Sequence, residues 1–143
     1  MSEVLGLETW LYGLLNGDTG TGGVSTLVAG RIYTDEAPSG SVYPLVLLSA
    51  QSPGIDVVSI GPHRVIVNAL YWVRVVGKGA SKVALEAIFD RIDVLLQAAG
   101  GVTTKVRVLM VNREQTLLLP PATVDGVRYV QLGGLYRAYL QAP

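Results

Sequence analysis

The chain has no cysteine and a single histidine, His63. The first absence excludes disulfides, thiolate nucleophiles and every zinc motif that uses sulfur. The second excludes a metal site of paired imidazoles and leaves the serines one candidate base, although a site made of carboxylates stays open. Charge is sparse: 15% of the 143 residues are charged, against roughly 25% in an average soluble domain. Basic and acidic side chains balance at 11 each. The chain therefore lacks the cationic surplus that sequence-independent nucleic-acid binding needs, and only a locally basic face could serve. Long apolar runs are missing as well, since RVIVNALYWVRVVGKG is interrupted by Asn68 and Arg74, short of the roughly 18 residues of a spanning helix. The opening MSEVLGLETW carries Glu3 and lacks the basic start and apolar core of a signal peptide, so export by that route is not expected.

What is abundant is apolar surface. Half of the residues are hydrophobic, and with so few charges the polar surface is thin for a free monomer, so part of it is expected to meet another protein chain. Residues 1–143 fit one domain, which at this size buries roughly 68–70% of its unfolded surface.

Val4, Leu5, Leu7, Trp10, Leu11, Leu14 and Leu15 recur at three- and four-residue spacing and predict a first amphipathic helix over residues 2–16, with Ser2 as N-cap and Gly17 as a left-handed stop. GDTGTGGVS reads as a flexible connector. It lacks the Gly-Lys-Ser/Thr ending, the preceding strand and the GxGxxG spacing of a phosphate cradle. STLVAGRIY holds one short helical turn ending at Gly30 and a brief strand from Arg31 to Tyr33. The loop TDEAPSGSVYP then leads to LVLLSA, with Pro44 at the strand start.

Residues 64–76 alternate as a strand, with Val65, Val67, Ala69, Tyr71, Val73 and Val75 on one apolar face. The other face mixes Arg64, Asn68 and Arg74 with Ile66, Leu70 and Trp72, which implies cover by a neighbour or a loop. KVALEAIFDRIDVLL is the clearest helix, capped by Ser81 and ended by Gly100. TTKVRVLMVN puts Val106, Val108 and Met110 on one side and Lys105, Arg107 and Leu109 on the other. DGVRYVQLGGLYRAYLQ reads as a last long strand entered through an Asp125-Gly126 turn, with a bulge or close backbone approach at Gly133-Gly134. The expected fold class is α+β: a mainly antiparallel twisted sheet with two helices packed on one face, plus a projecting β-hairpin arm.

Chemistry is hard to find. His63 sits in a turn after Gly61-Pro62 and reads as solvated. Asp90 and Asp93 lie one helical turn apart, but Lys82 and Arg91 nearby favour a solvated face over a cation site. No Gly-x-Ser-x-Gly elbow occurs. An enzyme is not expected, nor any cofactor or metal.

Taken in order, GRIYTDEAPSGSVYPLVLLSA, HRVIVNALYWV, KVALEAIFDRIDVLL and DGVRYVQLGGLYRAYL resemble the small tail-terminator or tail-completion proteins of long-tailed bacteriophages. In that family an early helix leads to Gly-Arg-Ile/Val-Tyr, a loop with Ala-Pro, and a Tyr-Pro or Pro-Tyr step into the first main strand. The match runs from about Leu5 to Leu140 and rests on order and spacing, since none of its motifs is a catalytic signature. The chain departs from the pattern in the glycine-rich insert at residues 17–23 and in the apolar arm GIDVVSIGPH, which is usually more polar.

The resemblance implies a ring, usually a hexamer, at the head-proximal end of the tail tube, which ends tube polymerisation and provides the docking surface for the head connector. Its partners would be further copies of itself, the tail tube protein and the connector or neck protein, without a membrane. It would assemble in the host cytoplasm and reside in the virion tail. Ala37 and Pro38 would form a partner-contact loop, and Ile55, Val57, Val58, Ile60 and Trp72 a subunit interface. The alternative for the arm is an ordinary hairpin folded on its own subunit. Lys105 and Arg107 would line the lumen and touch passing DNA transiently and without sequence preference, or else form salt bridges with residues such as Asp90 or Glu114. A neck or head-completion protein of the same junction is the nearest alternative. A small-ligand-binding α+β domain is the contrasting class and would need a pocket with convergent polar groups.

Overall fold

A computed structural model of the chain describes residues 3–58, 64–79 and 81–142. The first helix, α1 (Glu3–Asn16), buries Leu7, Leu11 and Leu15, one side chain per turn. Its expected cap, Ser2, lies outside the described residues. Gly17 does not adopt the left-handed conformation predicted for it. Its N–H bonds to the Gly13 carbonyl at 2.9 Å as a further helical turn would.

After a single turn of helix, α2 (Val24–Leu27), the left-handed conformation falls on Ala29 and Gly30, and the chain enters β1 (Ile32–Thr34). Two long strands follow, β2 (Leu45–Val58) and β3 (Arg64–Lys78), then α3 (Lys82–Leu96), and finally β4 (Gly101–Val102), β5 (Arg107–Leu118), β6 (Ala122–Val124) and β7 (Val127–Gln141). Ser81 caps α3 as predicted, its side chain accepting from the Ala84 N–H. The other end differs, for the helix stops at Leu96 and the left-handed residue is Ala98, not Gly100.

The strands form one sheet in the order β1-β2-β3-β7-β5-β4, with β6 paired to the start of β7. All pairs are antiparallel except β1–β2, which is parallel (Ile32 opposite Val46) because the loop between them turns the chain back to the same end of the sheet. β2 and β3 stay paired out to Val58 and Arg64, whereas β7 accompanies β3 only from Val67 and β1 accompanies β2 only at Val46–Leu48. The far part of the β2–β3 hairpin is thus a two-stranded arm projecting beyond the sheet.

The main core lies between the sheet and α1 and α3. Val67, Ala69, Tyr71, Val73 and Val75 of β3 meet Leu85, Ile88, Phe89, Ile92 and Leu96 of α3 there, as the strand and helix periodicities require. A second, smaller cluster of Leu45, Leu47 and Val76 sits on the opposite face, covered by Tyr33, Ala37 and Tyr43. The loop after β1 therefore supplies part of the cover expected for that face.

Asp125 and Gly126 both have positive φ and make the tight β6–β7 turn. Gly133 and Gly134 mark close approach, not a bulge, since β7 keeps an unbroken register with β3 there. A Cβ on Gly133 would lie 2.6 Å from the Val73 carbonyl oxygen.

Candidate interface surfaces

The glycine-rich stretch before α2 is built around one carboxylate. Asp18 accepts from the Val24 N–H at 2.9 Å and takes both arms of the Arg91 guanidinium at 2.8 and 2.9 Å, while the Thr26 hydroxyl bonds the Thr19 and Gly20 carbonyls. The Arg91 hydrogen bonds hold the Asp18 carboxyl below the usual aspartate range. The stretch is a loop, as its glycines predict, and Asp18 ties it to the start of α2 and, through Arg91, to α3.

Asp93 is likewise committed. It accepts from the Tyr136 hydroxyl at 3.0 Å and pairs with Arg113 at 3.2 Å, and so serves the packing of α3 on the sheet. Tyr71 makes the equivalent link to α1 by donating to Glu8. Burial first, and the neighbouring carboxylate second, push both tyrosine hydroxyls above the normal phenol range. Among the described residues no group of three or more acidic, histidine or cysteine side chains is placed to hold a metal. His63 lies outside those residues.

The sheet face away from α1 and α3 carries different chemistry. Trp72 and Arg74, two residues apart on β3, stack with the guanidinium carbon 4.0 Å from the indole ring centroid. Arg74 Nη1 donates to Gln131 Oε1 at 3.0 Å, but Arg74 Nε and Trp72 Nε1 are buried without an acceptor. Desolvation pushes the Arg74 guanidinium below its ordinary pKa, and no carboxylate among the described residues offsets it. Arg137 on the neighbouring strand has full company, with Glu114 bound at 2.9 Å and Asn68 at 3.1 Å. Buried donors normally find acceptors, so the Trp72–Arg74 pair is the exception that asks for an explanation.

The other predicted site residues are scattered. Ala37 is half-buried against the second cluster, whereas Pro38 is exposed and borders an open cleft of about 460 Å³ between α1 and β1, with Glu8, Tyr12 and Glu36 on its walls. The side chains of Ile55, Val57 and Val58 lie outside the described residues, as does the whole of Ile60.

Lys105 and Arg107 are both exposed and alternate with the buried Val106 and Val108 as predicted, but Lys105 is not part of the strand. Lys105 sits in the β4–β5 turn, where its N–H bonds the Thr103 hydroxyl, and β5 begins only at Arg107, opposite Gln141. A register shift between Val108 and Met110 also breaks the expected alternation and sets Met110 opposite Tyr139. Both cations are exposed, and neither has an ion-pair partner among the described residues. Glu114, named as a possible partner, is taken by Arg137.

Sequence reasoning named Trp72 but passed over Arg74, whose lack of a carboxylate is invisible until the strands are paired. It also missed Asp18, since nothing in a run of glycines singles out the one acid that organises it.

Such a layered α+β domain, one curled sheet with helices on a single face, has counterparts among solved structures. A chain of the "Virion of native gene transfer agent (GTA) particle" matches with a TM-score of 0.65 and 16% identity over 92% of each chain. A second solved chain, carrying no functional name, matches with a TM-score of 0.53 and 15% identity over 96% of each. At these identities the likeness establishes the fold. No protein-family model matches the sequence, and no curated protein does.

Proposed function

We propose that this chain is a structural virion protein of a tailed phage or phage-like particle. In this reading it forms a ring, a hexamer as in the family it resembles, at the head-proximal end of the tail tube, where it ends tube polymerisation and presents the docking surface for the head connector. The observation that carries the reading is the fold likeness to a gene transfer agent virion chain along nearly the whole length of both. The ordered series Gly30-Arg31-Ile32-Tyr33, Ala37-Pro38 and Tyr43-Pro44 supports the finer assignment. The role needs interfaces and no catalytic group. The projecting arm, the exposed Pro38 loop and the half-buried Arg74 guanidinium, which no described carboxylate pairs, are features that an assembling subunit uses.

Deletion of the gene from a particle-producing host, with electron microscopy of the lysate, tests the reading. Over-length tubes and unattached heads are expected, and both defects are corrected by supplying the gene in trans. Tails of normal length beside heads that leak DNA would instead assign the chain to the neck. Normal, complete particles would exclude a virion role.

A further inference from the structure

We propose that the sheet face around Trp72 and Arg74 docks onto the exposed stripe of α3 on a second copy of this chain. The inference rests on the ring reading above and names its interface. One side of α3 is spent on the core. The other presents Val83, Glu86, Ala87, Asp90 and Val94, all exposed and spaced three, one, three and four residues apart, which is a single helical stripe. Val83 and Val94, at 76% and 67% exposure, are among the most open large apolar side chains described. Between them Glu86 and Asp90 make no ion pair with any described residue.

The two surfaces are chemical complements. The sheet face offers a half-buried guanidinium that no described carboxylate pairs, flanked by the half-buried Leu70 and Leu135. The stripe offers two unpaired carboxylates flanked by valines.

The charge of the molecule is divided the same way. Its net charge is zero, yet among the described residues Arg74, Lys78, Arg107 and Arg137 occupy the open sheet face against Glu114 alone, while the charges of the α3 stripe are both acidic. The two surfaces lie on opposite layers of the fold and cannot pair with themselves about a two-fold axis. Their contact is head-to-tail, the kind that closes rings.

Charge reversal in two separate variants tests this. Arg74→Glu spoils the sheet face, and the double variant Glu86→Arg with Asp90→Arg spoils the stripe. Each alone is expected to weaken self-association, read by light scattering and sedimentation with and without tube protein, by roughly thirtyfold or more. An equimolar mixture is expected to recover assembly, because each variant's altered surface then meets its reversed counterpart and the unaltered surfaces meet each other.

Wild-type-like assembly of either variant, or no recovery in the mixture while the wild type assembles, overturns the interface and leaves the ring reading standing. A wild type that stays monomeric even with tube protein removes the ring reading itself and the inference with it. Rings of Arg74→Glu that form normally but lose retention of a short DNA duplex at low salt would assign the face to phosphate and also overturn the proposal. Should Arg74→Glu fail to fold by circular dichroism, Val83→Asp with Val94→Asp on the exposed stripe decides: lost assembly of a folded protein supports the interface, unchanged assembly refutes it.

Discussion

Asp18 and Arg91, 73 residues apart in sequence, meet through two parallel hydrogen bonds of 2.8 and 2.9 Å and fasten the glycine-rich segment before α2 to the flank of α3. The Asp18 carboxylate also takes the Val24 N–H, the first amide of α2. Removing it therefore frees a helix end and a loop together.

Asp18→Asn keeps the shape and loses the charge, and it is expected to lower the melting temperature at pH 7 by a few degrees. The difference has a pH signature. Because the carboxyl is held below its usual value of 3.8 in the folded chain, its contribution is fully present above that value and fades as pH falls through the lower folded pKa. Melting curves of wild type and Asp18→Asn should converge as pH is lowered from 6 towards 3, and a constant gap would contradict the assignment.

Two glycines should respond in opposite directions to alanine. At Gly133 the added methyl meets the Val73 carbonyl oxygen at 2.6 Å and Arg74 Cα at 2.9 Å, all part of a paired strand that cannot give way cheaply. A loss of about 1–3 kcal/mol is expected in urea unfolding. At Gly13, in the middle of α1 and exposed, nothing lies within 4 Å of the new Cβ, and alanine should stabilise by about 0.5–1 kcal/mol through helix propensity.

The buried hydroxyls of Tyr71 and Tyr136 set an alkaline limit. Their pKa values are raised in the folded state, whereas an unfolded tyrosine ionises near 10. Stability is therefore complete below about pH 10 and is lost as pH rises beyond it, because only the unfolded chain can release these protons freely. Tyr136→Phe should cost about 0.5–1.5 kcal/mol at pH 7 for the lost bond to Asp93. It should also flatten the decline of the urea midpoint between pH 9.5 and 11, and an unchanged slope would refute the account.

The arm gives an assembly prediction. β2 beyond Leu48 has β3 on one side and no described strand on the other. Val58→Asp with Ile60→Asp should abolish multimers while far-ultraviolet circular dichroism and the melting transition of the monomer persist. Global unfolding would place the arm in the core of its own subunit.

Much of this architecture is written in local pattern. The period of two in residues 64–76 and the period of 3.6 in α3 each expose one apolar face to whatever packs there, and hydrophobic burial leaves little choice about which side turns inward. Asp125-Gly126 likewise encodes its turn, because few residue pairs accept positive φ twice. The apolar and acidic stripe of α3 can be read the same way, from spacing alone.

Other features depend on residues brought together from afar, and no window of sequence contains them. The parallel pairing of β1, the register shift that turns Met110 to the other side of β5, and the left-handed Ala98 in place of Gly100 follow from how the strands and α3 fit against one another. The same holds for the polar groups. Asp18 has its partner on α3, Asp93 on β7 and β5, and Arg74 has no carboxylate among the described residues, although acids and bases are equal in number along the chain. Composition determined that charges were few and balanced. Only the tertiary structure decided which of them neutralise one another inside the subunit, because a hydrogen bond acts over about 3 Å and the chain must fold before two distant side chains come that close.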